Sequence, residues 1–143
     1  MVNRDIVEKA LETVRVNVNE LRNAKDIDWD VYASDIRARR FVERSLHVII
    51  EACIDAAHHI ISDEGMREPA TYREAFVVLC ENDVLPKDAL PAYEKIAMFR
   101  NLLVHYYEKV DDEIVYSIFK NRLDDFDRFV GYVLEFLNKN GEC

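Results

Sequence analysis

Apolar residues recur along this chain at three- and four-residue steps, and no stretch shows the strict alternation of a half-buried strand. Val7, Ala10, Leu11, Val14, Val18 and Leu21 mark one amphipathic helix from Ile6 to Leu21. "DIDWDVYASD" breaks the pattern, with Ser34 or Asp35 available as an N-cap. A long helix follows, over roughly 35 to 62. Phe41, Leu46, Ile49, Cys53 and Ala56 form one stripe, and from Val48 onward Ile50, Ile54, Ala57 and Ile61 make the opposite side apolar too. A helix apolar on both sides is buried on both sides. In so small a protein the second side is expected to meet another subunit.

"SDEGMREPAT" reads as a loop, with Gly65 closing the preceding helix and Pro69 soon after. Thr71 or a neighbour starts a short helix through "YREAFVVLCEN", and "DVLPKDALP" turns the chain into a helix from about 88. After "EKVDD", Asp111 or Asp112 caps a last helix, whose inward face is Ile114, Ile118, Leu123, Phe126, Phe129, Val130, Val133 and Leu137. The expected fold is an all-α bundle of about five helices, mostly antiparallel through short loops, dimeric, and forming a single domain over 1–143. No internal repeat, low-complexity tract or linker interrupts it.

Composition narrows the function. With 143 residues, 50% hydrophobic and 33% charged, the chain suits one folded domain with a sizeable core. Three Gly and three Pro are too few for a turn-rich β fold. "MVNRDIVEKALE" has no apolar run of signal length, and no stretch approaches the roughly 20 apolar residues of a membrane span. Cys53, Cys80 and Cys143 lie far apart, which points to reduced thiols in the cytoplasm rather than a disulfide framework or a zinc site. The net charge of −9 is the wrong sign for a surface that grips nucleic acid as a whole, so any such role must rest on a local basic site.

Three constellations carry possible chemistry. His47, Glu51, Asp55, His58 and His59 lie near one stripe of the long helix, and Asp55-Ala-Ala-His58 resembles half a carboxylate–histidine metal motif. The second half is missing from the sequence, so the alternative is the polar flank of a core helix. Arg37, Arg40 and Arg44 share a face beside Arg39. They form either a solvated face paired with acids such as Glu43 or a basic stripe that helps bind RNA. Finally "RNLLVHYY", 100 to 107, places Arg100 and His105 about 140° apart on an ideal helix. The arginine is long enough to meet the histidine in a groove, particularly one completed by a second subunit. Arg100 offers donors matched to phosphate oxygens, His105 titrates near neutral pH, and Tyr107 adds a phenol. The plainer alternative is a helix end, with His105 on the last carbonyls and Arg100 paired with an acid.

"RNLLVHYY" resembles the R-x-x-x-x-H-x-Y motif of the HEPN superfamily in the form found in HepT toxins, with Arg100, His105 and Tyr107 at the fixed positions. "RRFVERSLHVIIEACIDAAHHIIS", "PATYREAFVVLCENDVLP" and "MFRNLLVHYYEKVDDEIVYSIF" resemble the family's segments in the same order. The resemblance implies a dimeric, metal-independent endoribonuclease. Arg100 and His105 would be catalytic and Asn101 supporting, and the chain itself would hold no cofactor. It also implies a cognate minimal nucleotidyltransferase antitoxin that uses ATP and a divalent ion to place AMP on Tyr107. The alternative within the same resemblance is a non-catalytic, substrate- or nucleotide-binding subunit of a two-component nucleotidyltransferase.

Overall fold

The computed structural model describes residues 2–104 and 111–141. Within them the chain forms α1 (Arg4–Asn23), α2 (Trp29–Ser34), α3 (Ile36–Asp63), α4 (Tyr72–Glu81), α5 (Leu90–Val104), α6 (Asp112–Asn121) and α7 (Leu123–Gly141). A single 3₁₀ turn, Lys87–Ala89, leads into α5, and the described residues include no strand. The all-α class expected from the periodicity is the observed one.

Local chemistry sets the helix ends. Asp35 accepts the Arg37 N–H at 2.9 Å, Thr71 the Glu74 N–H at 3.0 Å, and Asp111 the Glu113 N–H at 3.0 Å. Each satisfies a donor that the first turn leaves without a helical partner. At the far end of α3 the chain turns through Gly65 at φ +64°. There the Met66 N–H reaches the Ile61 carbonyl and the Gly65 N–H the Ser62 carbonyl. This is the paired closure that favours glycine in the left-handed region.

Two helices more than expected appear. α2 forms because Asp28 accepts the Val31 N–H at 2.9 Å, and because Trp29 and Tyr32 pack on Tyr116 of α6, with ring centroids 5.3 and 5.5 Å away. Six residues are too few to show a helical period in the sequence. The expected last helix is two, α6 and α7, meeting at Arg122. The break lets Asp124 and Asp127 in the first turns of α7 both reach Arg22 of α1, each at 2.5 Å.

α3 is the axis of the molecule, packing on α1, α2, α4, α5, α6 and α7. Val7, Leu11, Val14, Val18 and Leu21 of α1 are buried in the shared core. Both apolar sides of α3 are filled within one chain: Ile50 is 0% exposed, Ile54 1%, Ala57 0% and Ile61 4%. The two-sided pattern therefore needs no second subunit, because the other helices surround α3. Two further residues assigned inward lie outside the core: Phe41 is 37% exposed and Ile114 44%. Cys53 and Cys80 are buried free thiols; Cys143 lies outside the described residues. No helix among the described residues is long and apolar enough to cross a membrane.

The α2–α3–α6 corner concentrates acid. The Tyr32 hydroxyl is buried without a hydrogen-bond partner among the described residues, with the carboxylates of Glu43 and Asp112 nearby. Burial and the Asp112 charge together push the Glu43 carboxyl above the ordinary carboxylate range.

Two outcomes follow from this packing. Ile54→Ala should cost about 2–5 kcal/mol in denaturant unfolding, and Ile54→Asp should abolish the cooperative melt because its charge would have no partner. A folded Ile54→Asp chain that differed only in light-scattering mass would show that this side faces a partner after all. For Glu43, the native state holds the proton more tightly than the unfolded chain. Stability should therefore fall as pH rises from the ordinary carboxylate range through the raised value, and stay flat above it. Glu43→Gln should raise the melting temperature at neutral pH and flatten that part of the pH profile.

Candidate functional site

Beside its buried faces, α3 carries a polar stripe: Arg37, Arg40, Arg44, His47, Glu51, Asp55 and His58, at steps of three and four. α5 crosses it and brings Arg100 to the middle. Arg100 Nε donates to Glu51 Oε1 at 2.7 Å, and His47 Nε2 lies 3.4 Å from the same oxygen. The guanidinium carbon sits 4.3 Å above the ring of Tyr72, the first residue of α4. The His58 ring lies alongside Tyr72, with centroids 6.0 Å apart and planes 28° from parallel.

Arg100 is thus held at its edge by a carboxylate and on its face by an aromatic ring, and its side chain is only 16% exposed. A guanidinium suits this double hold because it is planar: the edge donates while the face stacks on the ring. Partial removal from water strengthens both contacts. Among the described residues, the bond to Glu51 uses one of the five N–H donors of the fork. A cation fixed in this way can meet a phosphate oxygen with little reorganisation.

The other residues singled out in the sequence fall into place around this centre. Asn101 is exposed on α5 beside Arg100. Arg44 lines a cleft of about 290 Å³ with His47, Glu51 and Asp55 against α1. Arg37 and Arg40 are exposed about 21 and 16 Å farther up α3 from Glu51, at the helical rise per residue. None of the three arginines has a carboxylate partner within 4 Å among the described residues, so the expected pairing with Glu43 is not made. His105 and Tyr107 lie outside the described residues.

The metal alternative for α3 finds no assembled site. No group of three or more His, Cys, Asp or Glu among the described residues is placed to hold an ion. Glu51 is turned to Arg100 and His47, and His58 to Tyr72. The periodicity missed Tyr72 as a site residue. Its one sequence signal is its place directly after the capping Thr71, which fixes the start of α4 but not what the ring will touch.

Comparison with known proteins gives this arrangement its context. The family model described as ribonuclease HepT-like matches residues 4–133. The chain is 25% identical over 129 residues to the mRNA nuclease HepT of Shewanella oneidensis, covering 90% of this chain and 96% of that protein. It is 27% identical over 132 residues to a tRNA nuclease HepT of Aphanizomenon flos-aquae, covering 92% and 90%. In three dimensions it is similar to a tri-AMPylated Shewanella oneidensis HEPN toxin in complex with an MNT antitoxin, with TM-score 0.83 and 24% identity over 92% of this chain and 98% of that one. It is also similar to the cytosolic protein YutE of Bacillus subtilis, with TM-score 0.85 and 21% identity over 97% and 93%. The match spans every helix from α1 well into α7 and includes the helix that presents Arg100 to Glu51 and Tyr72. The chain therefore belongs to the ribonuclease HepT-like family, with the all-α HEPN-type fold.

Proposed function

We propose that this protein is an RNA endonuclease, the toxin of a toxin–antitoxin pair, and that it cuts RNA without a metal ion. The observation that carries the reading is Arg100: within the R-x-x-x-x-H-x-Y motif of a ribonuclease HepT-like chain, it is held by Glu51 at its edge and Tyr72 on its face. RNA supplies its own nucleophile. The 2′-OH attacks the neighbouring phosphorus, its proton passes to a base, and the bond to the 5′-oxygen breaks as that oxygen takes up a proton. The products are a 2′,3′-cyclic phosphate and a 5′-OH. His105 moves the protons, Arg100 stabilises the charge gathering on the phosphoryl oxygens, and Asn101 supports the phosphate or a neighbouring group. Arg37, Arg40 and Arg44 extend a basic track along α3, so that RNA can approach a protein of net charge −9.

The partner is a minimal nucleotidyltransferase antitoxin of the kind seen with the Shewanella oneidensis toxin. It uses ATP and a divalent ion of its own to transfer AMP to Tyr107, releasing pyrophosphate. The added phosphate brings bulk and negative charge to where the RNA phosphate must lie. The working toxin is a homodimer. Leu102 of α5, 52% exposed, provides apolar surface for a second copy to cover.

Arg100→Ala and His105→Ala should each reduce RNA cleavage in chelator by about 10²-fold or more, with helicity kept by circular dichroism. Arg100→Lys should not restore activity, since an ammonium has no planar fork. Cleavage that survives both alanine changes, or that vanishes on chelation, would remove the mechanism. Incubation with the antitoxin, ATP and magnesium should add AMP to Tyr107 and silence the chain, and Tyr107→Phe should stay active. AMP mapped by mass spectrometry to Tyr106, or a silenced Tyr107→Phe protein, would show that control runs by another route.

A further inference from the structure

We infer that the cleft between the start of α4 and the face of α5 is a nucleobase subsite, which takes an unpaired base next to the phosphate held at Arg100. The inference rests on the RNA-binding reading of this site. The cleft has a volume of about 640 Å³, and its wall includes His58, Tyr72, Ala97, Met98 and Asn101. It shares Tyr72 with the arginine site, so a base in the cleft is one side chain away from the Arg100 guanidinium.

The wall has the chemistry that a base requires. The His58 ring stacks on Tyr72 with planes 28° apart, and bases of single-stranded nucleic acid stack on aromatic side chains of this kind regardless of sequence. Ala97 and Asn101 sit four residues apart on one face of α5. The small residue leaves depth, and the amide offers both a donor and an acceptor to a base edge. Met98 is 62% exposed beside them, and its thioether is flexible and polarizable enough to close over an aromatic ring.

Charge sets this cleft apart from the groove on the other side of α5. Among the described residues its lining includes no Asp or Glu, in a chain that carries 28 of them. The larger groove between α5 and α6, about 740 Å³, is lined by Asp88, Asp111, Glu113 and Asp125. That groove disfavours a phosphodiester, which in this cleft meets Arg73, with Arg100 across the Tyr72 ring. Arg73 is partnered by Glu94 at 2.5 Å, outside the cleft wall, and Arg100 by Glu51. A duplex keeps its bases stacked and out of reach, so the subsite selects single-stranded RNA.

The test uses the full chain and a fluorescent 2′-O-methyl oligonucleotide, which lacks the attacking hydroxyl and reports binding alone. His58→Ala removes one aromatic wall, and Ala70→Trp fills the cleft from an exposed position. Ser117→Trp places the same bulk in the acidic groove as a control. Each of the first two changes should raise the Kd about tenfold with the melting temperature unchanged. Ser117→Trp should leave the Kd as in the parent, and a 2′-O-methyl duplex should bind more weakly than the single strand. Parent-like binding by both cleft variants, or an equal loss with Ser117→Trp, would overturn the subsite. If the parent never cuts natural RNA but the cleft variants still lose the oligonucleotide, the subsite stands and the ribonuclease reading fails. If the parent cuts and both cleft variants bind and cut like it, the subsite alone fails.

Discussion

Everything in this molecule is arranged around the burial of α3. A 28-residue helix that packs on six others has little surface left for polar groups, and that surface must run as a single stripe along the axis. A charged side chain partly removed from water there is costly without a partner. Glu51 meets this constraint by taking Arg100 from the helix that crosses it and His47 from one turn before. The same packing that makes the core therefore produces the polar centre.

The centre has a consequence for an acidic protein. Long-range attraction of RNA is weak at a net charge of −9. Under the proposed ribonuclease function, affinity must then come from short-range contacts made by a few fixed cations and flat surfaces. Glu51 lowers the field around Arg100 but holds the guanidinium in place. Tyr72 costs no charge and does the same from the face. The arrangement favours geometry over field strength, which suits a site that acts on a developing charge more than on a resting one.

Much of the fold was legible in the sequence. Helices α1 and α3 follow from apolar spacing and α4 and α5 from the turns that bound them, and Asp35, Gly65, Thr71 and Asp111 mark ends of α3, α4 and α6 because capping depends on residues within a turn of one another. The candidate site was legible only in part. Arg100, Asn101, His105 and Tyr107 stand out as a motif, while Glu51 and His47 read as the polar flank of a core helix or, less readily, as half of a metal motif, and Tyr72 did not stand out at all.

What the sequence determined by itself is whatever rests on neighbours along the chain: helix type, caps, and the polar stripe on α3. Only the tertiary structure decided that both apolar sides of α3 are satisfied within one chain. It alone showed that α6 and α7 part at Arg122 so that two aspartates reach Arg22. It also decided that Arg100, 49 residues from Glu51, meets it at 2.7 Å while covering Tyr72. The physical reason is range. Periodicity records which way a residue points on its own helix, but the partner it finds depends on how separate helices cross, and no local pattern encodes that angle.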